Sequence, residues 1–518
     1  MKKLGCMILS LVLGIIVSFP LMGASGIDRI FYADIATFAE RHLNLSHESW
    51  SDEKVFSTTT LDDDFADDTV SVVLTRRASL QLREFTADDF PEVRLSAVEQ
   101  TASFAKENIR EQLSAMQVRN FSRDTSQDIN IENFRQTLTL TLQEPGRENV
   151  LRAIRMLERR SDIFGVSPNY RITIPCMEYA THSNIVEFQA NNQTTNWALE
   201  RIGARQAWGI TTGSPNITVG ILDTGIDGNH FWLRNVIHPS SNMHADFVGG
   251  GFPLVDPNGH GTHVAGTVAS DTNGLTGVAW NISLASLRVL DSRGEGTMNA
   301  VYRAVRHASM RGIQILNASL GGSGRYLPLE QAIRDFNGLF VAAAGNNNRN
   351  TDLTPFFPAS IRLPNLISVG ASNESDGRGR WGGILGIGRS GSNFGATSVC
   401  IFAPGVSIFS TEPNGRFGEK TGTSMAAPFV AGTAALMLSI NPNLNSRPDL
   451  VRNKIIQTVN LPSDLNNYSI SRGRLNVRNA VNVARLATLQ IGSYSMTIFT
   501  FTFTFTFLST ACPCPTSN

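Results

Sequence analysis

Strand-like and helix-like patterns alternate along the chain between about residues 197 and 487. Short apolar runs rich in β-branched residues indicate buried strands, and longer runs of small and apolar residues indicate helices. Alternation of this kind is typical of domains in which helices cover a mainly parallel sheet. We therefore predict a three-layer α/β fold with a mainly parallel sheet. The predicted elements are Ile217–Leu222, His260–Val268, Ser283–Val289, Met298–Met310, Gln314–Ala318, Leu329–Phe336, Leu339–Ala343, Leu366–Val369 and Thr423–Leu438.

A smaller pattern lies earlier in the chain. It starts with a strand at Val70–Thr75, followed by helical patterning through Leu113. The segment Thr137–Leu142 alternates polar and apolar residues with period two, as a half-buried strand does. Glu148–Arg160 then carries an apolar stripe at helical spacing, and the run Ile163–Tyr170 follows it. These elements predict a small α+β unit.

Composition narrows the classes of function. The chain has 518 residues, of which 42% are hydrophobic and 17% charged, and its formal net charge is zero. These values predict a globular protein with more than one domain. The sequence shows no basic patch and no phosphate-cradling glycine loop, which argues against nucleic acid as a partner.

The first residues predict a targeting signal. Met1-Lys-Lys, the apolar run Leu4–Val17 and the small residues Gly23–Gly26 are typical of a secretory signal, here placed at residues 1–25. An uncleaved anchor is the alternative, but about 14 apolar residues are fewer than the roughly 20 that span a bilayer. We expect a secreted or cell-surface protein with no stable membrane span. The five cysteines form no evident disulfide framework, which suits a large core.

Two segments are left without a function. Residues 26–68 are unassigned apart from the acidic run Asp62–Asp68, for which a solvated linker is expected rather than a metal site. The tail, residues 491–518, has low complexity, and Phe alternates with Thr over Ile498–Phe507. Such a segment would be prone to aggregation as an exposed strand.

A serine at the start of an apolar helix is the first candidate catalytic residue. Gly422–Pro428 reads Gly-Thr-Ser-Met-Ala-Ala-Pro and opens an apolar run that continues to Leu438. The hydroxyl of Ser424 would face the unpaired N–H groups and the positive dipole end of this helix. Small neighbours would let a substrate backbone approach for covalent attack. Taken alone, however, the pattern is more often an ordinary helix N-cap.

An aspartate ends a predicted strand further upstream. The apolar segment that begins at Ile217 runs into Asp223, before a glycine turn. Asp223 would therefore lie at the carboxyl edge of a parallel sheet, where α/β folds place ligands. A plain turn aspartate is the alternative interpretation. The Asp-Thr-Gly sequence is also used by aspartic proteases, but these need two copies and the chain has no second one.

Histidine and asparagine candidates lie between these two motifs. His260 follows a glycine turn and His263 comes three residues later, whereas the zinc helix motif needs four-residue spacing and a glutamate beside the first histidine. We therefore expect no metal here, and His260 fits better as a general base for Ser424, oriented by Asp223. Asn346 ends a predicted buried strand and could donate its amide N–H to an oxyanion, although alone it would be an ordinary turn residue.

Together these four motifs resemble those of the subtilisin-like serine proteases, the subtilases. The chain order Asp, His, Ser separates this family from chymotrypsin-like enzymes and α/β-hydrolases. The resemblance covers roughly Trp197–Ala487 and extends to Asn317–Gly322, Gly294–Gly296, Phe357–Ala359 and Ala403–Val406. It implies a secreted serine endopeptidase that hydrolyses peptide bonds in polypeptide substrates.

The resemblance also implies a role for each catalytic candidate. Ser424 would be the nucleophile, and His260 would first accept its proton and later protonate the leaving amine. Asp223 would hold the imidazole in the required tautomer and stabilise its charged form. The Asn346 side chain and the Ser424 backbone N–H would bind the oxyanion. His263 would pack behind the site.

The substrate-binding residues are implied in the same way. Pocket walls made of backbone and small residues suggest a broad preference for an apolar or aromatic P1 residue, which is the substrate residue before the cleaved bond. Relative to the family, Gly377–Gly395 would be an insertion loop. The implied substrate-binding residues are Gly294, Glu295, Gly296, Ser319, Leu320, Gly321, Ala343, Ala344 and Gly345.

The small α+β unit resembles the pro-domain of a subtilase precursor. We predict a pro-domain at residues 69–190, acting as folding chaperone and intramolecular inhibitor, and a catalytic domain at residues 191–490. A substrate-binding module is the alternative. An autoprocessed zymogen would cut itself between about Pro175 and Asn196, a stretch rich in Asn and Thr.

No cofactor is expected for catalysis, and the sequence departs from the family at its usual calcium site. Many subtilases bind a tight calcium through an aspartate nine positions after the catalytic one, and this chain has Trp232 there. An indole offers a hard cation no oxygen. The loop Ser270–Gly277 also looks shorter than the family's calcium loop. We predict that this usual site is absent, and calcium elsewhere is left open.

Two other classes of function fit the sequence less well. A catalytically dead subtilase used as a binding module would lack a member of the triad, and none is missing. An acyl transferase or peptide ligase could use the same groups, but Ser424 together with Asn346 favours hydrolysis.

Overall fold

The computed structural model describes residues 54–79, 81, 83–100, 135–174, 196–250, 252–270, 277–381, 390–489, 494–498 and 501–505, with side chains up to residue 485. The predicted signal, the linker after Ile174 and the end of the tail lie outside these residues. The chain divides into two compact units. Described residues of the first lie within 54–58, 67–100 and 135–167, and those of the second are 59–66 and 168 onward.

The first unit is a small α+β arrangement. Its strands lie in the order β2, β3, β1, β4, and residues 65–66 of β1 and 168–173 of β4 belong to the second unit. The helix α2 buries its apolar stripe, including Val150, Ile154 and Leu157. The strand Thr137–Leu142 is confirmed in its bounds, but it is not half-buried, because Thr137 and Thr139 are buried as well as its leucines. The elements are β1 (Phe65–Leu74), α1 (Arg76–Ser79), a 3-10 turn (Ala87–Asp89), β2 (Leu95–Gln100), β3 (Thr137–Leu142), α2 (Arg147–Leu157) and β4 (Ile163–Thr173).

The prediction of helical structure from the strand at Val70–Thr75 through Leu113 was wrong for the residues that the structure describes there. The helix α1 ends at Ser79, and residues from Leu95 form the strand β2, which pairs antiparallel with β3. Pro91 gives one physical reason, since proline in a helix interior lacks the N–H and clashes with the preceding turn. Cross-strand pairing then outweighed the local apolar spacing.

The second unit is built on the predicted parallel sheet. Its seven strands lie in the order β14, β11, β10, β9, β5, β7, β6, and the strand pairs are parallel. The β-branched runs that predicted strands form its centre. The strands are β5 (Thr218–Asp223), β6 (Ala245–Asp246), β7 (Ser283–Arg288), β9 (Ile315–Ala318), β10 (Leu339–Ala343), β11 (Leu366–Ser372) and β14 (Ile401–Pro404).

Both faces of this sheet are covered, so the three-layer fold is confirmed. Val219, Ile315 and Val341 pack on one face with the helices α5, α8 and α10. Alternate strand residues such as Leu316 and Phe340 point to the other face and are also buried. The helices are α3 (Trp197–Arg201), α4 (Ala204–Trp208), α5 (His260–Ala269), α6 (Met298–Arg311), α7 (Leu327–Asp335), α8 (Thr423–Ile440), α9 (Pro448–Gln457) and α10 (Val477–Leu489).

The helix α8 is the centre of the core. It is long and apolar enough to cross a membrane by length and composition, but 89% of it is buried inside the protein, which identifies it as a core helix. It contacts β9, β10, β11 and β14 as well as α5. Its N-terminus therefore comes near the carboxyl ends of the parallel strands, where ligands bind in folds of this kind.

Short strands complete the described chain. The hairpin β15–β16 leads into α8 and contacts α5. Within the predicted insertion loop, Gly377–Gly395, two short segments pair antiparallel as β12 and β13, and residues 382–389 between them lie outside the description. Part of the Phe/Thr tail forms an antiparallel pair. These strands are β8 (Glu295–Thr297), β12 (Arg380–Trp381), β13 (Ser390–Gly391), β15 (Ile408–Glu412), β16 (Arg416–Lys420), β17 (Tyr494–Ile498) and β18 (Phe501–Phe505).

Candidate active site

The aspartate and the histidine that the sequence singled out are joined in the structure. Asp223 is the last residue of β5, and His260 is the first residue of α5. Both side chains are fully buried, and Nδ1 of His260 lies 2.7 Å from Oδ1 of Asp223. A carboxylate at Nδ1 holds the ring proton on that nitrogen, which leaves Nε2 as the basic nitrogen.

Asp256, which the sequence analysis did not single out, organises the backbone around this pair. Its Oδ1 accepts hydrogen bonds from the Thr224 hydroxyl at 2.8 Å and from the backbone N–H groups of Gly259 and Asn258 at 2.9 and 3.1 Å. Its Oδ2 accepts from the N–H and the hydroxyl of Thr262 at 2.8 and 2.7 Å. The carboxylate thus ties the turn after β5 to the start of α5, where its charge also suits the helix dipole. The Asp-Pro-Asn-Gly turn before the helix is the signal that could have found it.

Ser424 is the second residue of α8 and is fully buried. Its hydroxyl donates to the carbonyl oxygen of Ser319 at 3.3 Å, and the Ser319 hydroxyl donates to the Ser424 carbonyl at 2.8 Å. Among the described residues, Nε2 of His260 is buried without a hydrogen-bond partner. The structure therefore makes the Asp–His contact but not the Ser–His one. Catalytic hydrogen bonds of substrate-free enzymes are often long and tighten only with substrate.

Asn346 follows β10 and is fixed by the start of α8. Its Oδ1 accepts from the backbone N–H and from the hydroxyl of Thr423, each at 2.9 Å. A Cβ on Gly422, whose φ is +155°, would lie 2.8 Å from Nδ2. This orientation presents the amide N–H end of Asn346 to a residue without a side chain, two positions before Ser424.

His263 lies one helical turn after His260 and is fully buried. Its Nε2 donates to the carbonyl oxygens of Ile408 and Gly418 at 2.9 and 3.2 Å. Burial lowers the pKa of His263 well below its ordinary value of 6.5, and the charge of Lys420 lowers it further. The ring is therefore neutral and connects α5 to the hairpin β15–β16.

An ion pair packs against the turn that precedes His260. Lys420, the last residue of β16, pairs with Glu412, the last residue of β15, and their side chains are only 6% and 18% exposed. Burial raises the pKa of Glu412, and the neighbouring Lys420 opposes that rise. A Cβ on Gly259 would lie 2.9 Å from Oε2 of Glu412, so the pair packs against the residue before His260.

Two predicted substrate-lining segments flank the end of β4. Thr173 pairs antiparallel with Glu295 on one side. On the other side it exchanges hydrogen bonds with Gly321, at 3.3 and 3.2 Å. The next residue, Ile174, donates its N–H to the carbonyl of Gly294 at 3.0 Å. An extended segment of the chain thus lies between these two edges, as a peptide does when it binds by strand addition.

The remaining predicted lining residues differ in what they can offer. Gly296 pairs with Ile172 through its backbone. The side chains of Leu320 and Ala343 are fully buried. Ala344 packs into a small apolar cluster with Val399, Phe402 and Leu465. Only the backbone of these alanine and leucine residues could therefore face a substrate.

The position of the family's usual calcium ligand is occupied by aromatic packing. The Trp232 ring lies 4.5 Å from Phe417 and 5.3 Å from Phe231, measured between ring centroids. These side chains offer no oxygen, so this position does not fit a calcium site. Residues 271–276 of the neighbouring loop lie outside the description. Within the described part of the chain, no group of three or more His, Cys, Asp or Glu side chains is placed to hold a metal.

Comparisons with known proteins point in the same direction as this geometry. The model of the subtilase family, Peptidase_S8, matches residues 214–481. Subtilisin DY from Bacillus licheniformis is 36% identical over 292 residues, which cover 56% of this chain and 99% of that protein. Thermophilic serine proteinase from Bacillus sp. strain AK1 is 33% identical over 339 residues, 64% of this chain and 76% of that protein. Subtilisin NAT from Bacillus subtilis subsp. natto is 34% identical over 313 residues, 59% and 76% respectively.

Proposed function

The chain belongs to the subtilase family and is a serine-type endopeptidase, and on that premise we propose that Asp223, His260 and Ser424 are its catalytic triad. The observation that supports this most strongly is the fully buried 2.7 Å contact between Asp223 and Nδ1 of His260. A carboxylate buried beside an imidazole can hold the ring in one orientation and stabilise its protonated form, as a catalytic triad requires.

Each proton has a defined path in the proposed reaction. The Ser424 hydroxyl turns from the Ser319 carbonyl to Nε2 of His260 and attacks the scissile carbonyl carbon as that nitrogen takes its proton. The protonated His260 then donates to the leaving amine, which breaks the peptide bond and leaves an acyl-enzyme. Water, deprotonated by the same nitrogen, attacks the acyl carbon; His260 then returns that proton to the Ser424 oxygen as the ester bond breaks and the carboxylic acid product leaves. No metal or cofactor is needed in this sequence.

The oxyanion of each tetrahedral intermediate needs donors that are already in place. We assign these to the backbone N–H of Ser424 and to the amide Nδ2 of Asn346. The Ser424 N–H lies in the first turn of α8, where backbone donors lack intrahelical acceptors and the dipole is positive. The anchoring of Asn346 through its Oδ1 to Thr423 supports the assignment, because a fixed donor costs no reorganisation during the reaction.

Ser424→Ala tests the nucleophile. The variant should hydrolyse no peptide and should not be labelled by a fluorophosphonate, because both need the hydroxyl oxygen. Ser439→Ala is the matched control, since that serine lies on the same helix and its hydroxyl donates to the Ala435 carbonyl of its own turn. Peptide hydrolysis at the wild-type rate in Ser424→Ala would overturn the triad.

We also propose that the protein is made as a zymogen. The strand at Arg171–Thr173, with Ile174 after it, lies between the two segments that would hold a substrate. We place the self-cleavage in the chain that follows this strand, between about Pro175 and Asn196. Residues 69–190 would then be an inhibitory pro-domain, preceding a catalytic domain at residues 191–490.

Expression of the full chain tests the zymogen. Wild-type protein should separate into two fragments, whereas Ser424→Ala should stay full length until a trace of active enzyme is added. Active enzyme that keeps residues 69–174 covalently attached would contradict self-processing. N-terminal sequencing of the exported protein would test the signal at residues 1–25 and the secreted location, which we propose on the pattern that starts at Met1.

A further inference from the structure

One aromatic ring lies against both backbone segments that border the nucleophile. A Cβ built on Gly321 would lie 2.4 Å from Cε1 and 2.7 Å from Cζ of Phe356. A Cβ built on Gly345, whose φ is +96°, would lie 3.0 Å from Cδ1 and 3.1 Å from Cγ of the same ring. The ring thus bridges the two segments, with its tip at Gly321 and its base at Gly345. Glycine at both positions leaves room for it.

These two segments form the walls of the space beside Ser424. The Ser319 carbonyl accepts from the Ser424 hydroxyl at 3.3 Å, and the backbone N–H of Gly345 donates to the Thr423 hydroxyl at 3.0 Å. A substrate strand that pairs with Gly321 as Thr173 does would direct the side chain of its attacked residue between these walls. The Phe356 ring lies against both walls, at Gly321 and at Gly345.

The ring is held by a well-defined loop. The backbone N–H of Phe356 donates to the Ser360 hydroxyl at 3.0 Å, and the Ser360 N–H donates to the Phe356 carbonyl at 2.8 Å. The next residue, Phe357, exchanges backbone hydrogen bonds with Gly322 at 2.7 and 2.8 Å. Phe356 itself is half-buried, as a residue lining an open pocket would be, rather than part of the closed core.

We propose that Phe356 fills the S1 pocket, which receives the P1 side chain, and restricts the enzyme to peptide bonds that follow small residues such as alanine, glycine and serine. This inference rests on the proposed function of Ser424. A P1 aromatic side chain would need the volume that the Phe356 ring already occupies, so steric exclusion sets the preference. The sequence analysis expected a broad preference for apolar or aromatic P1 residues, because the pocket walls are made of backbone and small residues. The Phe356 side chain is not part of those walls in the sequence and narrows the preference.

The test compares two peptide substrates that differ only at P1, alanine against phenylalanine, with mature enzyme titrated for active sites. Wild type should prefer alanine by at least about tenfold in kcat/KM, within the range that a pocket's shape gives. Phe356→Gly should raise kcat/KM for the phenylalanine peptide about 100-fold and change that for the alanine peptide little. Leu353→Ala, in the same loop and 81% exposed, is the control and should leave the ratio unchanged.

The outcomes separate this inference from the proposed function. Wild-type preference for phenylalanine, or an unchanged ratio in Phe356→Gly, would overturn the role of Phe356 while fluorophosphonate labelling of Ser424 persists. Absence of labelling and of all hydrolysis would instead overturn the catalytic assignment. If the glycine variant does not fold, Phe356→Val and the P1 profile of the wild type against a peptide library decide the same question.

Discussion

Asp256→Ala should damage catalysis although Asp256 is outside the proposed triad. Its carboxylate accepts five hydrogen bonds, from the Thr224 hydroxyl, from the N–H groups of Asn258, Gly259 and Thr262, and from the Thr262 hydroxyl. Thr224 and Gly259 are the chain neighbours of the proposed catalytic aspartate and histidine. Removal of the carboxylate therefore removes hydrogen bonds next to both Asp223 and His260, so that the positions of both side chains are less well fixed.

The expected loss of stability follows from the N–H and hydroxyl donors that lose the Asp256 carboxylate as acceptor. Hydroxyls can rotate to other acceptors, but the N–H groups of Gly259 and Thr262 cannot, and an unsatisfied buried donor costs about 1–3 kcal/mol. With the favourable charge at the start of α5 also lost, we expect a loss of about 3–5 kcal/mol in the free energy of unfolding. A displacement of the imidazole by about 1 Å would lower kcat by about 100-fold. Asp256→Asn keeps the Oδ1 acceptor and should lose less of both.

The assay separates positioning from folding. Activity is measured per titrated active site, with kcat and KM obtained separately, and stability is measured by thermal unfolding of the Ser424→Ala forms. Asp246→Ala is the control, because Asp246 is also largely buried and pairs with Arg288 at 3.0 Å. It should lose stability but keep kcat. A kcat for Asp256→Ala within about threefold of wild type, or an equal loss in Asp246→Ala, would refute the reasoning.

Four further predictions concern single groups. Asn346→Ala should lower kcat by about 10²–10³, as loss of the corresponding donor does in subtilisin, yet keep fluorophosphonate labelling; loss of labelling would contradict it. Lys420→Met leaves the buried Glu412 carboxylate without its cation. Because burial raises the pKa of Glu412, the loss of unfolding free energy is absent below its ordinary pKa of 4.5 and appears as the pH rises and the carboxyl ionises. Denaturant unfolding should show a deficit that grows to about 3 kcal/mol near pH 8, and not a constant one. His263 has a depressed pKa, so its contribution to stability is present above pH 6.5 and is lost below it; His263→Gln should flatten this acid-side decline in thermal unfolding, and equal acid sensitivity would contradict it. Chelator should release no calcium from beside Trp232 in mature inhibited enzyme, so metal found there with a fall of many degrees in Tm would contradict the prediction.

Local patterns were sufficient for most of the elements around the candidate site. The β-branched run before Asp223, the glycine turn before His260 and the apolar segment after Ser424 each produced the predicted strand or helix. These patterns work because continuous runs of apolar and small residues form elements that can be buried on every side, and all residues of β5 and α5 are buried. The same reasoning failed after Ser79, where Pro91 and pairing with another strand outweighed helical spacing.

The chemical identity of the candidate groups could likewise be read from the chain. Asp, His, Asn and Ser motifs in one order identify a serine endopeptidase, because few residue types can carry out this chemistry and each needs a particular local turn. No distance between them could be read in the same way. That Asp223 and His260 meet at 2.7 Å while the Ser424 hydroxyl bonds Ser319 depends on how β5, α5 and α8 pack.

Tertiary structure alone decided two features that govern how the candidate site would work. Asp256 lies in an ordinary turn sequence, and only the fold brings Thr224, from the end of another element, to its carboxylate. Phe356 is one of 29 phenylalanines, and no local pattern marks it. Its contact with Gly321 and Gly345 joins three separate segments of the chain, one of them 35 positions before Phe356. Residue type and spacing determine which local structures and reactions are available, whereas side-chain contacts between distant segments exist only once the chain has packed.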